Sequence, residues 1–400
     1  MIGPREIERA RETIRKVVYH TPLVTSDSIS SRVGRKVYLK LETLQKTGSF
    51  KIRGAYYKIA NLKPSLSAKG VVAVSAGNHA QGVALAASLH GVSATIVMPE
   101  RAPLSKQLAT MSYGGKVILR GKTFDEAGTY ARELEKEGLT MIHPYDDEEI
   151  ITGQGTIGLE IIEVLSDFDA IVVPIGGGGL ISGISSAIKA KNPAIQVIGV
   201  EAAAAPTALH SIRSGKITSV EPSSTIADGI AVKRIGKLTY PIIRRFVDDV
   251  VTVEEDEIAT AILMLMERKR IVAEGAGAVP LAALLKGEKK MKGSNCVLVI
   301  SGGNIDVNLV DRIIAQGLAK TGRIFRITVT LRDVPGALAT LSRVIAAKGA
   351  NILHIRHDRI SKGIPVGCSK VVLELETAGF DHIQEILETL KEEDYAVELT

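Results

Sequence analysis

Short runs of β-branched and other apolar residues alternate with helical patterns through about residue 315, and this alternation constrains the fold more than any other feature of the chain. The runs are bounded by Gly and Pro. They include residues 70–74, 94–98, 170–174, 197–200 and 297–300. Apolar runs of this length, separated by helices, are typical of central strands in parallel α/β sheets. Ligands of such sheets bind beyond the carboxyl ends of the strands, so site residues are expected just after these runs.

The pattern changes after residue 322. The remaining chain predicts a strand (324–331), a helix (336–348), two strands (351–359 and 367–376), a second helix (381–393) and a short strand (395–399). This βαββαβ order is that of a ferredoxin-like two-layer module. We therefore expect an α/β domain over residues 1–315, a linker over 316–323 and a small domain over 324–400.

Composition excludes several classes of protein. Hydrophobic residues make up 45% of the 400 residues and charged residues 24%, as in soluble globular proteins, and no apolar run is long enough to span a membrane. The first residues predict an amphipathic helix without the apolar core of a signal peptide, so a cytoplasmic location is expected. The net charge of +6 is spread along the chain, which argues against a nucleic-acid surface. Cys296 and Cys368 do not form a disulfide framework or a metal set.

One lysine stands between an aromatic ring and a glycine-containing turn in the segment 49–55 (SFKIRGA). A lysine amine is a nucleophile only when unprotonated, and partial burial near other cations lowers its pKa. Its main covalent use is a bond to a carbonyl carbon. On its own, the pair Phe50 and Lys51 is more typical of a buried ring beside a solvated amine.

A second motif, residues 75–82 (SAGNHAQG), follows a predicted strand and begins a helix. Its small residues let a planar ligand approach the backbone. Ser75 and the N–H groups of a helix N-terminus can hold a carboxylate, and Asn78 can donate to a phenolic oxygen. An ordinary helix cap is the alternative interpretation.

A third motif, residues 176–183 (GGGGLISG), exposes consecutive backbone N–H groups at a helix start and predicts a phosphate cradle. A dinucleotide fingerprint is disfavoured, because Ile181 or Ser182 stands where its third glycine is required, and no P-loop Lys-Ser/Thr pair is present. A flexible turn remains the alternative.

A fourth motif, residues 301–304 (SGGN), places a serine at a strand end, although Ser-Gly-Gly is also a common turn. The four motifs together offer a lysine for an aldehyde, an asparagine for a ring hydroxyl, glycine N–H groups for a phosphate and a serine for a ring nitrogen. Pyridoxal phosphate requires this set of groups.

With these motifs in this order, and with 153–156 (GQGT) and 274–277 (EGAG), residues 1–315 resemble the β-family, or fold type II, of pyridoxal-phosphate enzymes. Within it they are similar to the threonine ammonia-lyases, also called threonine dehydratases. The resemblance implies an α/β fold of two subdomains with parallel and mixed sheets, like tryptophan synthase β, in which a small subdomain (about 42–146) is inserted. The tail from Ile324 resembles an ACT domain, a regulatory module that often binds amino acids.

The resemblance also implies roles for single residues. Lys51 would bind the cofactor covalently and later take the Cα proton of the substrate. The implied cofactor contacts are Phe50, Lys51, Asn78, Gly176, Gly177, Gly178, Gly179, Leu180, Glu274 and Ser301. The implied contacts to the substrate carboxylate are Ser75, Gly77, Asn78 and His79. The implied reaction is deamination of L-threonine to 2-oxobutyrate and ammonia, with L-serine giving pyruvate.

Ser301 has a chemical consequence, since a hydroxyl does not keep a pyridine nitrogen protonated. The ring is then a weaker electron sink, which favours expulsion of a β-substituent. Serine racemases carry a serine where this chain has Ala76, and a methyl group cannot transfer a proton. Another β-family enzyme and a non-catalytic amino-acid sensor are the alternatives, and intact Lys51 and Ser301 argue against the sensor.

Two further expectations concern ligands. Some relatives bind a divalent cation through two carboxylates, but only Glu201 matches, with Thr207 in the second place, so no dedicated metal is expected, and a monovalent ion is the alternative. The ACT-like tail is expected to bind isoleucine, valine or another small amino acid near Asp333, Gly336 and Asn351, in a homo-oligomer (dimer or tetramer). A tail that only aids oligomerisation is the alternative. Isoleucine biosynthesis and threonine catabolism both remain open as the pathway.

Overall fold

Two units make up the chain in the computed structural model, which describes residues 2–287 and 291–399, and they divide between Ile305 and Asp306. The sequence placed the division at a linker over residues 316–323. A helix over Val307–Lys320 belongs to the second unit, so the chain divides in the loop before that helix rather than after it.

The first unit alternates strands and helices. In chain order its elements are α1 (Pro4–Ile14), β1 (Leu23–Thr25), α2 (Asp27–Val33), β2 (Lys36–Leu41), α3 (Lys51–Ala60), α4 (Pro64–Ser67), β3 (Val71–Val74), α5 (Asn78–Leu89), β4 (Ala94–Met98), α6 (Leu104–Ser112), β5 (Lys116–Leu119), α7 (Phe124–Lys136), β6 (Thr140–Met141), α8 (Glu148–Val164), β7 (Ala170–Pro174), α9 (Gly179–Lys191), β8 (Gln196–Ala202), α10 (Thr207–Ser214), α11 (Thr239–Phe246), β9 (Asp249–Val253), α12 (Glu255–Lys269), α13 (Gly275–Leu285) and β10 (Asn295–Ile300). Short 3-10 turns cover Glu42–Leu44 and Asp228–Ile230.

The larger sheet of this unit has the strand order β1-β2-β10-β7-β8-β9, with only β1 antiparallel to its neighbour. All of β7 and nearly all of β10 are buried, as expected of central strands covered on both faces. The smaller sheet, β5-β4-β3-β6, is entirely parallel, and β3 and β4 are buried throughout. The predicted two-subdomain α/β fold is confirmed.

The second unit consists of α14 (Val307–Lys320), β11 (Ile324–Arg332), α15 (Ala337–Ala347), β12 (Asn351–Asp358), β13 (Cys368–Glu376), α16 (Phe380–Glu392) and β14 (Ala396–Leu399). Its antiparallel sheet has the order β12-β13-β11-β14. Alternate residues of β11 and β13 face one apolar core with α15 and α16, so the predicted βαββαβ module is confirmed.

Among the described residues, no helix combines the length and the apolar composition needed to cross a bilayer.

Candidate active site

Two loops pair with each other and bring Lys51 beside the end of β10. Ser49 and Gly302 form an isolated antiparallel bridge. The backbone N–H of Phe50 donates to the carbonyl of Ser301 over 3.1 Å. Lys51 begins α3, and Ser301 follows β10 directly, so both stand at element ends that face one crevice.

The Lys51 amine is held inside this crevice. Its Nζ atom donates to the carbonyl of Pro144 over 2.8 Å and lies 5.1 Å from the centre of the Phe50 ring. Burial lowers the pKa of Lys51 to about 8, although the Glu274 carboxylate opposes this shift. A larger share of the amine is therefore unprotonated near neutral pH than in a free lysine, as a nucleophile requires.

A buried cluster of charges anchors the helix that starts at Lys51. Arg53 is fully buried and donates to Glu42 over 2.8 Å and to Glu160 over 2.6 Å. Lys40 shares the Glu160 carboxylate, with Nζ and Oε2 2.5 Å apart. Two cations thus meet two anions, and this pairing offsets the cost of burying them.

Asn78 is oriented from both sides. Its Nδ2 atom donates to Oε1 of Glu274 over 2.7 Å, and its Oδ1 atom accepts from Nδ2 of Asn304 over 2.6 Å. Burial, with a smaller contribution from Asp228, raises the pKa of Glu274 to about 7. A Cβ atom on Gly302 would overlap the Glu274 carboxylate, so a larger residue here would displace that carboxylate or the loop. Asn304 is the last residue of the fourth motif, and the motif alone does not indicate this role.

The start of α5 offers donors for a carboxylate. The backbone N–H groups of Asn78, His79 and Ala80 have no acceptor among the described residues. The Ser75 hydroxyl accepts from the backbone N–H of Gly77 over 3.1 Å and stabilises the turn. Burial lowers the pKa of His79 to about 3, and its neutral ring donates from Nε2 to the carbonyl of Ile142 over 2.8 Å. His79 therefore offers its backbone N–H, rather than a charged ring, to the site.

The glycine run between β7 and α9 offers a second row of donors. Within the described part of the chain, the backbone N–H groups from Gly176 to Ile181 have no acceptor. Gly178 has a φ of 94°, a left-handed conformation that favours glycine. The Leu180 side chain packs into the core of the larger sheet, so this residue also contributes its backbone. Such converging N–H groups at a helix N-terminus are an anion site.

These residues fit pyridoxal phosphate. Unpaired N–H groups suit its phosphate, the Lys51 amine suits its aldehyde and the fixed Asn78 amide suits its ring hydroxyl. Ser301 is buried. The buried Ser49 hydroxyl nearby lacks a partner among residues 2–287 and 291–399. A buried hydroxyl without a partner is rare in protein interiors, so it indicates a polar ligand.

Glu201 is hydrogen-bonded to the start of a helix. Its carboxylate accepts from the backbone N–H groups of Ala208 and Leu209 over 2.7 and 2.9 Å, at the start of α10, and from the Thr207 hydroxyl over 3.3 Å. Glu201 therefore binds the N-terminus of α10 in this structure.

A separate cavity of about 400 Å³ lies in the second unit. Asp333, Gly336, His357 and Arg359 are among the residues that line it. Arg359 donates to Asp333 over 2.9 Å. Asn351, at the opposite end of β12 from His357, is not among the lining residues.

Comparisons with known proteins agree with this geometry. Residues 14–302 match the family model described as "Pyridoxal-phosphate dependent enzyme", and residues 325–394 match the ACT domain. An L-threonine ammonia-lyase of Thermotoga maritima is 51% identical over 400 residues, which is 100% of both chains. The solved threonine deaminase isoform 2 of Solanum lycopersicum, in its processed form, has a TM-score of 0.75 and 40% identity and covers 78% of this chain and 87% of its own. Maize serine racemase has a TM-score of 0.75 and 38% identity and covers 80% of this chain and 98% of its own.

Proposed function

The chain belongs to the family of pyridoxal-phosphate dependent enzymes and carries an ACT domain, and we propose that it deaminates L-threonine to 2-oxobutyrate and ammonia. L-Serine gives pyruvate by the same reaction. The enzyme is thus a carbon-nitrogen lyase. The observation that carries this proposal is the Lys51 amine held at the Pro144 carbonyl, together with Ser301 and with glycine N–H groups that have no acceptor among the described residues, in a chain that matches an L-threonine ammonia-lyase over its whole length.

Each residue has a separate task in this proposal. When bound, pyridoxal phosphate supplies an aldehyde that condenses with amines and a conjugated ring that withdraws electrons from the substrate Cα–H bond. The glycine run would hold the phosphate, Asn78 would donate to the ring hydroxyl and Ser301 would interact with the ring nitrogen. The N–H groups at the start of α5 hold the substrate carboxylate. Lys51, with its pKa of about 8, takes the Cα proton at Nζ.

The residue types at two positions favour elimination over racemisation. A racemase needs a second acid–base group on the substrate face opposite the lysine. The family resemblance assigns this place to Ala76, whose methyl group carries no proton. Ser301 contributes in the same direction, since its hydroxyl is a poor proton source for a ring nitrogen. Loss of the β-hydroxyl is then the favoured outcome.

Regulation forms the second part of the proposal. The cavity beside Asp333 and Gly336 adjoins the start of α15, where the backbone N–H groups of Leu338 and Ala339 have no acceptor among the described residues. These groups suit the carboxylate of a small amino acid, and Asp333 suits its ammonium group. Isoleucine and valine are the effectors to test first, with Asn351 as a further candidate contact, in a homo-oligomeric enzyme of the cytoplasm.

The activity is tested by adding L-threonine to the purified holoenzyme and measuring 2-oxobutyrate. Lys51→Ala should lower turnover by about a thousandfold or more, because it removes both the covalent attachment and the base. Lys63→Ala, at an exposed position shortly after the same helix, is the matched control and should keep wild-type turnover. A Lys51→Ala enzyme that deaminates threonine at the normal rate would refute the assignment.

Effector binding is measured by calorimetric titration of the full chain with L-isoleucine and L-valine, together with kinetics and light scattering. Asp333→Asn should weaken binding and leave unregulated turnover unchanged. If neither amino acid binds or changes kinetics or oligomeric state, the effector proposal fails, whereas the lyase proposal stands.

A further inference from the structure

Two segments of the first unit pack against the glycine run. They are residues 143–146, which follow β6, and residues 234–239, which lead into α11. The carbonyl of Gly177 accepts from the Thr239 hydroxyl over 2.7 Å and from the backbone N–H of Gly236 over 3.1 Å. The Asp146 carboxylate accepts from the backbone N–H groups of Lys237 and Leu238 over 2.9 and 2.7 Å. Each segment is therefore tied to at least one other.

Tyr145 fills the space between these segments. A Cβ atom on Gly177 would overlap the Tyr145 ring, and a Cβ atom on Gly179 would lie 3.0 Å from the Tyr145 Cα atom. The Tyr145 hydroxyl donates to the carbonyl of Arg234 over 3.1 Å. Glycine at positions 177 and 179 thus makes room for Tyr145, in addition to leaving N–H groups free for an anion.

The same segment also contacts the lysine. Pro144, the residue before Tyr145, accepts the Lys51 amine at its carbonyl. The ring of His143 fixes the segment, since its Nδ1 atom accepts from the backbone N–H groups of Asp146 and Tyr145 over 2.8 and 3.3 Å. The His143 and Tyr145 rings meet edge to face with their centres 4.7 Å apart. Residues 143–146 therefore connect the covalent attachment point directly to the phosphate cradle.

We propose that Tyr145 is a positioning residue that holds the glycine run in its N–H-presenting conformation and at a fixed separation from Lys51. The phosphate and the aldehyde of one cofactor must be bound at the same time, so an error in this separation weakens the combined attachment. Tyr145 acts through Gly177 and Gly179 and takes no part in proton transfer. The inference rests on the proposed function only for the identity of the cofactor.

The test compares two probes on the cofactor-free protein. Pyridoxal phosphate uses both the lysine and the cradle, whereas pyridoxal lacks the phosphate and uses the lysine alone. Tyr145→Ala should raise the Kd of pyridoxal phosphate about tenfold or more, as expected for the loss of one packed aromatic side chain, and change the Kd of pyridoxal much less. Tyr145→Phe keeps the ring and should stay within about threefold of wild type.

One control variant and one substitute variant complete the test. Tyr130→Ala removes a half-buried ring that packs on the smaller sheet and should leave both Kd values unchanged. Tyr145→Leu keeps apolar volume without a ring and replaces Tyr145→Ala if that variant does not fold. The inference is overturned if Tyr145→Ala binds pyridoxal phosphate as wild type does, or loses both probes equally. A wild-type protein that binds neither probe would contradict the proposed function as well.

Discussion

Asn78 donates a hydrogen bond to Glu274 over 2.7 Å, and this bond joins the first residue of α5, beside the small sheet, to the residue directly before α13, beside the large sheet. The two subdomains therefore meet at a carboxyl group whose pKa burial raises to about 7. Asp228 adds to this shift, whereas the cations Lys106 and Lys51 oppose it. The ionisation of Glu274 is thus coupled to the site.

Glu274→Gln should stabilise the cofactor-free protein in a pH-dependent way. Between pH 4.5 and pH 7 the folded state keeps a proton on Glu274 that the unfolded state has released. Wild-type stability therefore falls as the pH rises through this window, and the cost is complete above it. Glutamine keeps the acceptor for Asn78 and does not ionise. The free energy of unfolding of the variant relative to wild type should therefore increase as the pH rises, by about 2–3 kcal/mol from pH 4.5 to pH 8.

Urea unfolding at pH 5 and pH 8 measures this gain. Glu133→Gln, at an exposed position of α7, is the control and should show no such difference between the two pH values. An equal effect of Glu274→Gln at both pH values would rule out burial of a titrating carboxyl group.

Lys51→Met should also stabilise the cofactor-free protein, with the opposite dependence on pH. The folded pKa of about 8 lies below the ordinary value of 10.5, so the buried ammonium costs stability fully below pH 8. That cost disappears as the pH rises from 8 to 10.5. Methionine should therefore gain about 1–3 kcal/mol at pH 7 and much less at pH 10. Thermal unfolding of both proteins at the two pH values checks this, and a variant less stable than wild type at pH 7 would contradict it.

Gly302→Ala should damage the site more than the fold. The added Cβ atom would overlap the Glu274 carboxylate and approach the Ser49 side chain at 3.1 Å, so the Glu274 carboxylate or the loop that carries Ser301 must shift. We expect turnover of threonine to fall about tenfold to a hundredfold, as expected for a small displacement of catalytic groups. Gly128→Ala, inside α7 with only the end of Arg132 nearby, is the control and should leave turnover unchanged. Steady-state kinetics of threonine turnover measure both variants. Normal turnover in Gly302→Ala would show that the loop accommodates the added methyl group without displacing the site.

The fold could be predicted from the sequence because its signals are local. The runs that became β3, β4, β7, β8 and β10 are continuous and apolar, and each central strand of a covered parallel sheet shows this pattern. Three motifs at strand ends also led to Asn78, the glycine run and Ser301, because ligand groups concentrate there, and the remaining motif, at the start of α3, led to Lys51.

Tyr145 could not be predicted from the sequence because the strand before it, β6, has only two residues and leaves no apolar run.

The charge cluster around Arg53 could not be predicted for another reason. Its members, Lys40, Glu42 and Glu160, come from β2, the turn after it and α8, and nothing local in the sequence indicates that they meet. Asn351 stays a prediction as an effector contact, since a strand pattern does not say which end adjoins a cavity.

Arg53→Met should destabilise the protein strongly. It leaves Glu42 and Glu160 buried, with Lys40 as the remaining cation of the cluster, and a broken buried ion pair costs about 3–5 kcal/mol. Arg101→Met, at an exposed position, should change stability by less than about 0.5 kcal/mol. Denaturant unfolding compares the two, and equal stabilities would show that the cluster relaxes by taking up water or protons.

The bridge between Ser49 and Gly302 has a consequence for biosynthesis of the protein. Lys51 is made early on the ribosome, whereas its partner strand β10 is among the last elements of the first unit to emerge. Until then the lysine lacks the wall formed by Ser301 and Gly302, and Glu274 is also absent for most of that time. The nascent chain therefore cannot assemble the complete proposed cofactor site before nearly the whole first unit has left the exit tunnel, so cofactor capture at this site would be a late event in maturation.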